Sequence, residues 1–160
     1  MSGFTGIGID KDTVTTTQQA PLGFKLTVGD GNDGNQIYTY VKAAATVGQG
    51  VAVMRGSVAG DSGYGACVLG LSTESEMRYV GCAQQAAGIP SGSYGFVLTK
   101  GVGLVKVDSA SAAGDELVMH SADGELDDAA ATDVNGPVGV VLGTAIAPAT
   151  PGLAYVSFAG

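Results

Sequence analysis

Several places in this sequence carry residues that could do chemistry, and each can be held against what that chemistry needs. Gly60-Asp61-Ser62-Gly63 has the form of the nucleophile loop of chymotrypsin-like proteases, but Tyr64 stands where a further glycine is required. That mechanism also needs an imidazole to take the serine proton and a buried acid to orient the imidazole. The single histidine, His120, follows Ser62 in the chain, inverting the order of that family, and 160 residues are too few for its two barrels. Ser62 therefore reads as part of a turn. His120 alone cannot build a metal centre of the usual His/Cys kind and reads as an exposed or half-packed imidazole at a strand end. Asp30-Gly31-Asn32-Asp33-Gly34-Asn35 has the composition of a calcium loop, yet Asn35 holds the sixth position, where glycine is needed, and Val41 the twelfth, where glutamate is needed. Gly101-Val102-Gly103 and Gly6-Ile7-Gly8 lack the third glycine and the βαβ setting of a dinucleotide site. The paired carboxylates Asp127-Asp128 lie in an acidic stretch with nothing beside them to make one an acid and the other a base. No catalytic residue, metal site or cofactor is expected.

The elements that would position such residues are short strands. Phe24–Val28 and Gln36–Lys42 alternate apolar and polar side chains, and the Gly/Asp/Asn run between them supplies hairpin-turn chemistry. Val51–Met54, Gly63–Leu71, Arg78–Ala83, Ser93–Thr99 and Gly103–Val107 are further strand segments, the last two separated at Lys100-Gly101. Ser72–Met77 could form a helical turn. Glu116–His120, Gly139–Ala147 and Leu153–Phe158 close the series, with Glu125–Asp133 as an acidic connector. No segment keeps a 3.6-residue period over three turns. Short strands at about ten-residue spacing with glycine turns predict an all-β antiparallel sandwich or barrel.

Composition agrees and narrows the partners. Hydrophobic residues form 45% of the chain and charged residues only 14%, so the chain can bury a core but needs either a plain polar surface or partners to cover it. The 27 glycines have no tripeptide period, which excludes collagen. Cys67 and Cys82 are not in CxxC spacing and read as buried or half-buried thiols, with a bridge between them as the alternative. No apolar run approaches the ~20 residues of a membrane-spanning helix, and the first residues lack the pattern of an export signal. The net charge of −8 is uneven, because all seven Lys/Arg precede Val107 while eight of the fifteen acids follow it. An acidic region of this kind repels phosphate backbones, so neither nucleic acid nor membrane is expected as a partner.

Three collinear segments carry a resemblance. They are Gly34–Val53, then Gly81–Val107 with its Cys-Ala-Gln-Gln-Ala-Ala-Gly-Ile-Pro-Ser-Gly core, and then Ala113–Val118 followed by Ala122-Asp123-Gly124 and Gly139–Ala145. Together they cover roughly residues 34–147 and resemble the small decoration, or head-stabilising, proteins of tailed bacteriophages. The resemblance implies a small antiparallel β-barrel or β-tulip domain, residues 24–160, preceded by an extended N-terminal arm, residues 1–23. It implies a homotrimer on the outer capsid surface of the virion, cementing the major capsid protein. The arm, Gly-, Thr- and Gln-rich, has no match in the family pattern. On composition it would contact the capsid through Phe4, Ile7, Ile9, Val14, Thr16, Pro21 and Leu22. The alternative reading is a tail, fibre or host-recognition module that presents Tyr64, Tyr79 or Tyr94 to a glycan.

Overall fold

A computed structural model describes residues 9–30, 34–56, 63–70, 78–120, 124–129 and 136–159. The fold is all-β, a single curled antiparallel sheet, as the strand spacing predicts. Its strands are β1 (Lys25–Asp30), β2 (Gly34–Lys42), β3 (Ala52–Met54), β4 (Val68–Leu69), β5 (Tyr79–Ala83), β6 (Tyr94–Val105), β7 (Glu116–Met119), β8 (Leu126–Asp128), β9 (Gly139–Val141) and β10 (Gly152–Ser157).

Strand β6 joins the two halves of the sheet. Its Leu98 is paired with Tyr38 of β2 and Cys82 of β5, and its Lys100 with Ile37 of β2 and Ser157 of β10. The sequence reading divides this strand at Lys100-Gly101, but the backbone runs through. Gly101 has φ of +122°, which an L side chain rarely adopts, so glycine lets the strand change course there without ending. The opposing β2 shifts register at Ile37/Tyr38, at the same level.

Both faces of the β2–β6–β5–β3 region are buried, which explains why β5 is buried at every position, Tyr-Val-Gly-Cys-Ala. One face joins the main core with Tyr38, Tyr40, Phe96, Leu98 and Val156. Here the Tyr40 ring lies 5.0 Å from Phe96 and stacks on Tyr94 at 6.1 Å. The other face packs Val41, Val53, Val80 and Val97 beneath Val47 and Ile89. Each large side chain buried this way contributes about 1.5–3 kcal/mol. Within this double-sided region Thr39 and Thr99 are buried and pair their hydroxyls at 2.6 Å. Cys67 and Cys82 are both buried thiols, one in each core cluster.

Several elements depart from the sequence reading. Gly63–Leu71 is a 3-10 turn at Tyr64–Ala66 followed by the short β4, because Gly63 is left-handed and its small neighbours give no alternating pattern. Leu126–Asp128 is a strand inside the expected acidic connector, held by pairing with β7. Gly139–Ala147 yields only the three residues of β9 before the chain turns at Gly143. The Ser72–Met77 turn lies outside the described residues.

Candidate functional site

The N-terminal arm is laid against its own sheet. Thr15 and Tyr94 exchange two backbone hydrogen bonds, at 3.0 and 2.7 Å, on β6. The Gln19 amide donates to the Tyr40 hydroxyl and the Gly23 amide to the Tyr40 carbonyl. Gln85, itself buried, donates from Nε2 to the carbonyls of Lys11 and Phe96 at 2.9 and 2.8 Å, tying the arm to the core. Of the residues expected to meet a partner, Ile9 is buried in the main core, Leu22 packs on that core and Val14 packs on the second cluster. Thr16 and Pro21 are exposed, while Phe4 and Ile7 lie outside the described residues. An arm that supplies core side chains is a finding the polar composition hid.

Beside the arm lies an open cleft of about 560 Å³ lined by Asp12, Val14, Gln49, Gln84, Gln85 and Pro90. Gln84 is committed to the structure, accepting the Leu104 amide on Oε1 and donating to the Leu104 and Cys82 carbonyls. The side chains around the cleft thus serve to fasten the arm and the neighbouring loops.

A titratable group absent from the sequence reading forms at the β7–β8 end. One ligand atom each from Asp108, His120 and Asp127 lie within 4.8 Å of one another. Backbone pairing assembles them, since the Asp108 amide bonds the Leu126 carbonyl and the His120 amide the Glu125 carbonyl. His120 Nε2 stands 3.6 Å from Asp108 Oδ2, Asp127 accepts the Ser109 hydroxyl, and Lys106 pairs with Glu125 at 2.6 Å. Much of the acidic C-terminal third is therefore used in local contacts; Asp115 likewise accepts the Ala112 amide. Asp61 and Ser62 lie outside the described residues.

The tyrosines expected on loops divide. Tyr79 is fully buried and cannot meet a ligand, which removes it from the glycan reading. Tyr64 is half-buried and carries the Arg55 guanidinium 4.6 Å above its ring, and Tyr94 is stacked on Tyr40. The tyrosine that does face outward is Tyr155, 40% exposed, two residues from Leu153, 52% exposed. These are the exposed large hydrophobic side chains among the described residues. They project from β10, whose inward residues Ala154 and Val156 are buried.

Comparison with known proteins gives a likeness of fold. No protein-family model matches this chain, and no curated protein is similar to it in sequence. Among solved structures, it is similar to the N base of the head fibre gp8.5 of bacteriophage phi29. The TM-score is 0.52 at 13% identity, covering 76% of this chain and 94% of that one. At that identity the shared feature is the fold.

Proposed function

We propose that this chain is a structural subunit of a bacteriophage virion, a decoration protein bound as a homotrimer to the outer surface of the head, where it cements copies of the major capsid protein. The observation that supports a virion structural protein is the fold likeness to the base of a phage head fibre over nearly all of that chain. The collinear segments of residues 34–147 support it from the sequence side. The arm, Phe4 to Leu22, is the proposed capsid contact. Because Ile9, Val14 and Leu22 fasten it to the domain, its outward residues Thr16 and Pro21 are held in place before binding, which lowers the ordering cost of association. Three such contacts in one trimer would add through effective concentration. The acidic C-terminal third disfavours contact with packaged nucleic acid.

The test is co-sedimentation of the purified chain with expanded heads that lack it. Saturable binding, weakened by Thr16→Glu with Pro21→Glu and unchanged fold, supports the reading; heads that pellet without the chain overturn it. A second reading, the base or recognition module of a fibre, draws on the same likeness, since the neighbour is itself named as a fibre part. Glycan binding without affinity for heads would favour that one.

A further inference from the structure

The outward side of β6, β10 and β9 is apolar where a solvated sheet face should be polar. Tyr155 is paired with Val102 on one side and Val140 on the other, and Leu153 with Leu104. Directly paired residues on adjacent strands share a face, so these five side chains form one patch. The patch has charged flanks of opposite sign. On the β6 side, Lys100 is paired with Ser157; on the β7 side, Glu116 is paired with Val140. Both side chains are exposed, and neither forms an ion pair among the described residues.

We propose that this face is the surface through which copies of this chain assemble into a closed head-to-tail ring, the β6 flank of one copy meeting the β7 flank of the next. The inference rests on the reading of the chain as a homotrimer and names the surface for it. The charge arrangement points to a second copy as the occupant. In a ring, each interface joins the left flank of one subunit to the right flank of its neighbour, so Lys100 meets Glu116 every time. A chain of net charge −8 repels itself elsewhere, and the centre of this patch carries no charge at all. An aromatic residue at the centre with a polar rim is also the anatomy of a protein–protein contact.

Sedimentation equilibrium of the full chain, without heads, tests this. The wild type should run at the trimer mass, and Leu153→Glu with Tyr155→Glu at the monomer mass with an unchanged circular dichroism spectrum, since both residues are exposed. Lys100→Glu and Glu116→Lys should each weaken assembly a few-fold, as rim charges do, and the two together should restore it. A monomeric wild type, or a variant that keeps the wild-type mass, overturns the proposal. So does a Leu153/Tyr155 variant that loses binding to heads at unchanged mass, because the face would then belong to a capsid partner. A trimer that responds as expected but ignores heads leaves this surface standing and removes the virion reading instead.

Discussion

Replacing Ile9 by alanine separates an arm that belongs to the folded domain from one that merely hangs from it. Ile9 is only 8% exposed and lies among the main-core residues, although it stands far ahead of the first strand. Truncating a buried isoleucine to alanine typically costs 2–5 kcal/mol, and a site at the margin of a core falls toward the lower end, about 2–3 kcal/mol. With a urea slope of about 2 kcal/mol per molar, that loss moves the unfolding midpoint down by about 1–1.5 M. The matching control is Thr16→Ala, an exposed arm position that should stay within about 0.5 kcal/mol. Hydrogen exchange at the Thr15 amide, bonded to the Tyr94 carbonyl, reads the arm separately from the sheet and should speed up in Ile9→Ala. If Ile9→Ala shifts the midpoint no more than Thr16→Ala does, the arm is not part of the core and the reasoning fails.

Other consequences follow from single contacts. Thr39→Val leaves the buried Thr99 hydroxyl without its partner and should cost about 1–3 kcal/mol, whereas Thr39→Val with Thr99→Val should lie within about 1 kcal/mol of wild type; chemical denaturation of the double-mutant cycle checks the non-additivity. Gly81→Ala places a methyl 2.4 Å from the Leu98 carbonyl oxygen, a backbone atom that cannot swing away, and should cost at least about 2 kcal/mol by thermal or urea unfolding. Burial raises the Cys82 thiol far above the ordinary thiol range. A group raised on folding gives stability that is whole below its unfolded value, about 8.5, and is lost as pH climbs above it; the urea midpoint should therefore fall above about pH 8.5, and less so in Cys82→Ala. For the same reason Cys82 should resist alkylation until the chain unfolds.

Alternation makes the β1–β2 hairpin legible, whereas β5, β7 and β10 show as short apolar runs set off by turn residues. The arm was not legible. Ile9, Val14 and Leu22 have no common period, because each drops onto a different part of the sheet, so no local pattern marks them as core. Lys100-Gly101 looked like a break because glycine usually ends a strand, and only the pairing of Lys100 with both Ile37 and Ser157 shows the strand continuing. The outward patch did leave a trace. Leu153-Ala154-Tyr155-Val156 is apolar on both parities, which means either two buried faces or one exposed apolar one. The Asp108–His120–Asp127 group left none, since its members come together only through the pairing of β7 with β8 and the Val107–Leu126 bridge.

Under the proposed function, this chain binds the outside of a phage head. Imaging heads before and after addition of the purified chain tests it most directly. New density is expected at fixed positions on the outer surface, with the side of the arm bearing Thr16 and Pro21 turned toward the shell. Heads unchanged by saturating chain would contradict it.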